Sequence, residues 1–530
     1  MRTTSITTQR GQMNQVPFSY YLTKSDRWWL IILLILAIVM RIPHLNGSFW
    51  LDEAAQALEI TRPTSQQLLI ENDFQPPLLH IILHLAQFIS TQEWWLRLIG
   101  AFIPGIATIL LLFEMGRRFY SKSTGIIASL FLATSSFHLF YSQELRPYSL
   151  SCLFTTWSFY LLFSALNSKK NDAKQKTKAL HSCWIKIGLI NLLGLYSTYL
   201  YPFVLIAQAV YLLVSYRLFF PKWLKPQLIP LGGFLLWLPS FLSQLQAGQL
   251  LRQTLPGWEQ VVSTGQLKAL PLILAKFIFG VLKLSELRWP ILASVFLGIC
   301  LLILTIQLFR SKKVIISIND KTVQTSIVLA SLLLMPWLIS FWVPIVQPKR
   351  LLIAQPFLYL IISWLISQAW SPKKHLTQFI SVLTVLLILF INFFSSYSYY
   401  TKSSLQRENW RDLNTYLRAR FPSNRSIALF AFEEPFAPWQ WYDQNYFLTL
   451  TTGTNHLDDP EIIEQKIKMI SEFDFVFVFD YLTDLSDPKG YLLQTVKDYG
   501  FQEIEVIDQP NIGFVHVFIR DNNILIGYRN

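Results

Sequence analysis

Long apolar runs dominate the chain from Trp28 to about Phe394. After the first run, WWLIILLILAIVM at 28–40, they recur at about 96–115, 123–141, 148–166, 184–198, 200–217, 226–243, 289–309, 325–344, 350–369 and 376–395. Their lengths approach that of a helix crossing a bilayer, and they lack the in-and-out alternation of barrel strands. The pattern predicts a polytopic α-helical membrane protein with about 11 to 13 transmembrane helices, and eleven is the count that these runs support.

Two segments between the runs differ from the rest. PPLLHIILHLAQFI at 76–89 contains two prolines and is too short to span, so we expect a juxtamembrane or re-entrant helix there. Residues 244–288 form a long loop, and its ALPLILAKFIFGVLK stretch with Lys276 and Lys283 suits an amphipathic helix lying along lipid headgroups.

Beyond about Ser396 the pattern becomes that of a small soluble α/β domain. Residues 407–420 and 488–500 predict helices, whereas RSIALFAF, FDFVFVFD and GFVHVFI predict buried strands. We therefore expect a cytoplasmic tail at 1–27, a transmembrane domain at 28–395 and a C-terminal extracytoplasmic domain at 396–530. The sequence has neither G-x-G-x-x-G nor a P-loop, so no nucleotide site is indicated.

Composition and charge support this division. Apolar residues make up 52% of the chain and charged residues only 15%, which does not suit a soluble or disordered protein of 530 residues. The net charge of +13 is uneven, since residues 396–530 hold 12 basic and 19 acidic side chains and the remainder holds 33 and 13. A basic excess among membrane segments indicates positive cytoplasmic loops, not nucleic-acid binding. Three cysteines in or beside apolar runs predict no disulfide framework: Cys152, Cys183 and Cys300.

Loop charges predict the orientation. Four basic residues precede the first run: Arg2, Arg10, Lys24 and Arg27. Further basic clusters follow at 117–122, 169–178, 217–225, 310–313 and 373–374. All of them should face the cytoplasm. Eleven crossings then place the C-terminal domain outside. The outer surface is expected to consist of 46–95, 142–147, the turn near Tyr199, 244–288 and 346–350.

An acidic pair, Asp52 and Glu53, follows the first run closely in WLDEA. Asp52 could cap the helix that begins there, with Glu53 solvated at its positive end. Alternatively, an acidic residue held at the outer membrane surface could take a proton from an incoming hydroxyl or bind a divalent ion.

Two further polar motifs fall on the same predicted face. YSQELRPY at 141–148 joins two runs, and it is either an ordinary turn with Glu144 paired to Arg146 or part of a site. Lys349 and Arg350 are outer cations that depart from the positive-inside pattern, and lipid phosphate is the nearest candidate anion. A sugar linked to a lipid phosphate needs this division of labour, because the phosphate needs cations and the acceptor hydroxyl needs a base.

With these motifs, the chain resembles the integral-membrane GT-C glycosyltransferases, within them the protein O-mannosyltransferase and aminoarabinose-transferase-like branch. The resemblance is carried by WLDEA, QPPLLH, EWWLRLIGAFIPGI, GRRFYSKSTGIIASL and above all YSQELRPYSL. It covers residues 28–165. Farther on, PKRLLIAQPFLYL is similar to the Arg-containing start of a span in that family, and QRENWRDL to the helix that leads into its outer domain.

The resemblance implies roles for particular residues. Asp52 would be the catalytic carboxylate with Glu53 beside it, Glu144 and Arg146 would shape the sugar and phosphate site, and Arg350 would contact the phosphate. Further candidates for substrate contacts are Tyr148, Lys349, Gln75 and His80. A requirement for a divalent metal stays open, with Asp52, Glu53 or His80 as possible ligands; His80 and His84, four residues apart, are equally suited to packing.

The resemblance implies an inverting glycosyltransferase of the plasma membrane. It would move a hexosyl or pentosyl group from a polyprenyl-phosphate donor, its co-substrate, to a protein, lipid or glycan acceptor on the extracytoplasmic face. The alternatives are a transporter or flippase of lipid-linked glycans and an oligosaccharide ligase. Scarce mid-span ionisable residues and the lack of a visible inverted repeat disfavour transport.

Overall fold

The structure, a computed structural model, describes residues 22–67, 74–167, 173–255, 264–283, 289–310, 320–370, 374–459 and 461–520. The predicted cytoplasmic charges of Arg2 and Arg10, and those at 169–170, 312–313 and 373, lie outside these ranges.

Every predicted apolar run lies on a helix, so the polytopic helical fold is confirmed. Seven helices within the described ranges are long and apolar enough to cross a membrane: Glu93–Phe119, Tyr148–Leu166, Arg217–Thr254, Trp289–Arg310, Lys321–Ile339, Lys349–Ala369 and His375–Thr401. The remaining runs lie on Lys24–Arg41, on Lys122–Thr134 with Ser136–Tyr141, on Ala173–Leu195 and on Tyr201–Ser215. The count of eleven crossings stays a prediction.

The two intervening segments also contain helices. Leu78–Ala86 has nine residues, far fewer than the roughly 20 that a spanning helix needs. Gln266–Phe279 buries Ile273 and Phe277. The Phe277 carbonyl accepts hydrogen bonds from Tyr359 (2.7 Å) and Gln355 (3.0 Å), so this helix packs on the bundle. Its placement along lipid headgroups stays a prediction.

The C-terminal part forms a five-stranded sheet in the order β2-β1-β3-β5-β4. The strands are β1 (Ser426–Phe430), β2 (Leu448–Thr451), β3 (Phe475–Phe479), β4 (Phe501–Gln509) and β5 (Gly513–Arg520). β1 pairs in parallel with β2 and β3, whereas β5 is antiparallel to both β3 and β4. The α-helices of seven or more residues in this part are Trp410–Arg420, Ala437–Asp443, Glu461–Ile467 and Tyr491–Asp498.

The sequence predicted the three central strands and missed the two edges. β1 and β3 are buried at every position, which is why they appear as continuous apolar runs. β4 is mostly exposed and alternates charged with apolar residues, and β2 has only four residues. A short or half-solvated edge strand carries less apolar signal, so it was the harder one to predict.

The sheet domain docks against the segment that follows the Lys24–Arg41 helix. The Ala437–Asp443 helix packs on the Leu51–Ile60 helix, and the rings of Phe49 and Trp441 meet edge-on with centroids 5.8 Å apart. Residues of the C-terminal domain thereby reach the acidic pair.

Candidate active site

The acidic pair lies in the first turn of the Leu51–Ile60 helix. Adjacent residues on a helix point about 100° apart, so Asp52 and Glu53 enter different surroundings. The Asp52 side chain is 33% exposed, whereas that of Glu53 is fully buried. The two carboxylates are therefore not equivalent.

Asp52 faces two cations. Its Oδ2 lies 4.0 Å from Arg146 Nε and 4.0 Å from Lys349 Nζ. The Lys349 ammonium also lies 5.8 Å from the ring centroids of Trp50 and Tyr148. The three motifs WLDEA, YSQELRPY and QPKR thus meet at one point. At 4.0 Å and partly exposed, these pairs are loose, and both cations can take a further anion.

Glu53, unlike Asp52, is hydrogen-bonded to Arg97 and to the backbone of Leu145. Arg97 Nε donates to Glu53 Oε1 (2.9 Å), a second Arg97 nitrogen bonds Glu53 Oε2, and the Leu145 backbone N–H donates to Oε1 (2.7 Å). The same guanidinium bonds the carbonyls of Leu45 (3.0 Å), Gly47 (2.5 Å) and Ser48 (3.0 Å). Burial opposes ionisation of Glu53, but Arg97, Arg407 and these hydrogen bonds hold its pKa below the ordinary value.

Glu144 is clamped by the C-terminal part of the chain. Arg407 Nη2 lies 3.2 Å from Glu144 Oε2 and donates to the Phe140 carbonyl (2.8 Å), while its guanidinium stacks 4.1 Å from the Phe140 ring centroid. Burial raises the pKa of Glu144, although Arg407 and Lys349 oppose that rise. This partner is 263 residues away in the chain.

Several buried polar side-chain atoms have no hydrogen-bond partner among the described residues. Beside this cluster they include the indole Nε1 of Trp50 and the carboxylate Oε1 of Glu144. Buried polar groups in folded proteins are nearly always bonded, so each is a candidate for a contact with substrate. One is a donor and the other an acceptor, as the hydroxyls of a sugar would require.

Arg350 stands next to Lys349 at the start of the Lys349–Ala354 turn, which leads into Gln355–Ala369. Its Nη1 donates to the Ile345 carbonyl at 3.1 Å. That bond holds the guanidinium to the segment before the helix.

Gln75 and His80 form a separate polar network. Gln56, one turn beyond Asp52, bonds His80 Nδ1 (2.5 Å) and accepts from Gln75, whose Nε2 lies 3.1 Å from His80 Nε2. His84 contacts the Ile60 carbonyl (2.7 Å) and Thr64 Oγ1 (2.9 Å). No group of three His, Cys, Asp or Glu side chains is placed to hold a metal ion in the part of the chain that the structure describes.

The sequence did not indicate three charged residues that contact the site: Arg97, Arg407 and Glu408, whose Oε2 accepts from the Leu51 backbone N–H at 3.3 Å. Arg97 carried a usable signal, since it is a lone cation inside the apolar run that begins EWWLRLIG. Arg407 and Glu408 carried none, because their partners lie in loops hundreds of residues earlier and only the docking of the sheet domain brings them together.

Comparisons with known proteins agree with this picture. A family model described as dolichyl-phosphate-mannose-protein mannosyltransferase matches residues 74–244. The matched range includes Arg97, Glu144 and Arg146 but neither Asp52 nor Lys349. No curated protein sequence matches the chain.

Solved structures show the fold. ArnT from Cupriavidus metallidurans in the apo state is similar with a TM-score of 0.55 and 11% identity, covering 94% of this chain and 98% of ArnT. ArnT bound to undecaprenyl phosphate gives 0.52 and 9% over 94% and 98%. The oligosaccharyltransferase AglB from Archaeoglobus fulgidus, in complex with an inhibitory peptide and a dolichol-phosphate, gives 0.51 and 12% over 94% and 74%. The chain has the fold of the GT-C glycosyltransferases, and the resemblance inferred from its motifs is confirmed.

Proposed function

We propose that this chain, which has the GT-C glycosyltransferase fold, transfers one sugar from a polyprenyl-phosphate carrier to a hydroxyl acceptor on the extracytoplasmic face of the plasma membrane. The observation that carries the proposal is the one-third exposed carboxylate of Asp52, which lies 4.0 Å from the cations Arg146 and Lys349. A base and a phosphate-binding pair side by side suit transfer from a sugar phosphate. Two proteins of similar fold were solved with undecaprenyl phosphate and dolichol-phosphate.

In this proposal Asp52 acts as general base. It takes the proton of the acceptor hydroxyl while the acceptor oxygen bonds to the anomeric carbon. The bond between that carbon and the phosphate oxygen breaks, and its electron pair leaves with the polyprenyl phosphate. Attack from the face opposite the phosphate inverts the configuration of the anomeric carbon.

Arg146 and Lys349 stabilise the negative charge on the departing phosphate, and Arg350 adds a third cation. A phosphate is already a fair leaving group, so cations serve it better than a proton donor does. Trp50 and Tyr148 flank the Lys349 ammonium. They offer aromatic faces to the sugar ring, and Glu144 Oε1 offers an acceptor for one of its hydroxyls.

Glu53 has a different role from Asp52 in this scheme. Its carboxylate is fully buried and bonded to Arg97 and to the Leu145 backbone. It therefore joins the helix that carries Asp52 to the turn that carries Arg146. We assign Glu53 to positioning, which keeps the base beside its cations.

The test uses purified protein in detergent, a short-chain polyprenyl-phosphate sugar as donor, and a panel of peptide, lipid and glycan acceptors. Asp52→Asn should lower turnover by roughly 10²- to 10⁴-fold with the fold intact. Asp498→Asn is the matched control, because Asp498 is an exposed carboxylate at the end of the Tyr491–Asp498 helix. Wild-type turnover in Asp52→Asn would contradict the proposal.

The same preparation separates the alternatives. A flippase would move the lipid across liposomes without breaking the sugar–phosphate bond, so free polyprenyl phosphate would not appear. An oligosaccharide ligase would accept a diphosphate-linked glycan and release the diphosphate carrier. Release of polyprenyl monophosphate together with a glycosylated acceptor supports the transferase.

A further inference from the structure

The C-terminal domain contacts the short segment that connects the Lys24–Arg41 helix to the Leu51–Ile60 helix, which carries Asp52. Arg411 Nη2 donates to the Asn46 carbonyl (3.0 Å), and the Arg411 backbone N–H donates to Ser48 Oγ (3.1 Å). The Tyr442 hydroxyl accepts from the Phe49 backbone N–H at 2.7 Å. The domain thus contacts this segment at several successive points, and the last contact belongs to Glu408.

Glu408 contacts the backbone directly before Asp52. Its Oε2 accepts from the Leu51 backbone N–H (3.3 Å) and from Trp410 Nε1 (2.7 Å), while its Oε1 accepts from the Tyr481 hydroxyl (2.7 Å). The carboxylate therefore accepts two hydrogen bonds from its own domain. The third hydrogen bond joins it to the start of the Leu51–Ile60 helix.

That helix needs an acceptor at its start. Trp50, the residue at its N-cap, makes no side-chain capping bond within the described part of the chain. The first backbone N–H groups of a helix lack internal partners and favour a negative charge nearby. Glu408 supplies the acceptor from a distance of 357 residues in sequence. The first turn carrying Asp52 is thus capped by a residue of another domain.

We propose that Glu408 is a positioning residue, through which the C-terminal domain holds Asp52 beside Arg146 and Lys349. This inference rests on the proposed function, since it takes Asp52 as the base. The domain then does more than cover the bundle, because it completes the geometry of the first turn. A shift of about 1 Å in a catalytic group costs on the order of a hundredfold in rate, so the effect is measurable.

The experiment compares Glu408→Ala, Glu408→Gln and a matched control, Glu505→Ala. Glu505 also accepts from a tyrosine hydroxyl, Tyr416, and pairs with an arginine, but it lies on β4 at the sheet edge. Glu408→Ala should lower kcat between about tenfold and about a hundredfold, with the donor KM changed less than about twofold. Glu505→Ala should behave as wild type.

Glu408→Gln should restore most of the turnover. The glutamine oxygen can accept from Leu51 N–H and Trp410, and its amide can donate to the Tyr481 hydroxyl oxygen. Wild-type kcat in Glu408→Ala, or a glutamine variant as slow as the alanine variant, would overturn the proposal. If Glu408→Ala fails to fold, Tyr481→Phe removes one support of the carboxylate and should lower kcat about threefold; an unchanged kcat would also overturn it.

Hydrogen exchange provides a readout that needs no sugar transfer. The Leu51 amide should exchange faster in Glu408→Ala than in wild type, and at the wild-type rate in Glu505→Ala. If wild-type protein transfers no sugar, the proposed function fails while this measurement still decides whether Glu408 holds the helix start. An unchanged Leu51 rate in Glu408→Ala would overturn the positioning role.

Discussion

Replacement of Glu53 by leucine tests whether this buried carboxylate is an anchor or a reactant. Glu53→Leu keeps side-chain volume but removes the charge that faces Arg97. We expect the variant to be less stable by about 3 kcal/mol, since removing one partner of a buried ion pair leaves the other charge unpaired.

The structure sets this magnitude at the low end of the known range. Such removals cost roughly 3–5 kcal/mol. Arg97 keeps three backbone carbonyl acceptors, from Leu45, Gly47 and Ser48, so its guanidinium is still hydrogen-bonded in the variant. The Leu145 backbone N–H also loses its acceptor, a cost of about 1 kcal/mol that is part of the total of about 3 kcal/mol.

The assay is a thermal unfolding series in detergent with a double-mutant cycle. Glu53→Leu and Arg97→Met should each lower the unfolding midpoint. The double variant should be more stable than the sum of the two losses predicts, because it leaves neither charge buried alone. Asp52→Asn is the matched comparison, and we expect it to keep the wild-type midpoint since its ion pairs are loose and partly exposed.

One result would refute this reasoning. If Glu53→Leu unfolded at the wild-type midpoint yet lost turnover as completely as Asp52→Asn, Glu53 would act in the reaction. Both members of the acidic pair, Asp52 and Glu53, would then be catalytic.

Three further predictions concern charge. Lys349→Met should lower kcat/KM for the donor by between about tenfold and a hundredfold, as expected for losing a charged contact to phosphate, and Lys349→Arg should retain most of the wild-type kcat/KM. Equal kinetics in Lys349→Met and wild type would count against a phosphate contact. Burial, aided by Asp52, raises the pKa of Glu408 to about 7, against hydrogen bonds that favour its charge. Its carboxyl infrared band should therefore titrate near pH 7 and vanish in Glu408→Gln. Because the folded state holds this proton more tightly than the unfolded state, wild type should lose stability relative to Glu408→Gln as pH rises from about 4.5 to about 7. A band titrating near pH 4 would refute this prediction. Cysteine placed near Lys122 should react only with membrane-permeant reagents in intact cells, whereas cysteine near Gln253 should react with impermeant ones, and labelling of both from outside would contradict the predicted orientation.

Local pattern was sufficient for much of the architecture. A run of about 20 apolar residues has few stable conformations in a bilayer other than a helix, so the spans could be predicted one at a time from their own residues. The central strands β1 and β3 were predictable for the same reason, since each is buried throughout and reads as a continuous apolar run. The motifs around Asp52, Arg146 and Lys349 identified three segments whose side chains the structure brings together.

The distinction between Asp52 and Glu53 was decided by tertiary structure. The two are adjacent, equally acidic and in one helical turn, so nothing local separates them. Arg97 and the Leu145 backbone bind Glu53, and these partners lie 44 and 92 residues away from it in the chain, so only the tertiary fold brings them to it. Asp52, one residue earlier, remains 33% exposed beside its cations.

The contribution of the C-terminal domain was also beyond the reach of the sequence. Arg407 and Glu408 look like an ordinary solvated pair before a helix, yet they contact Glu144 and the Leu51 backbone. Hydrophobic periodicity reports which face of an element is buried, because burial is a property of the element itself. Which distant partner a charge finds depends on how two domains dock, and that is determined by packing across the whole molecule.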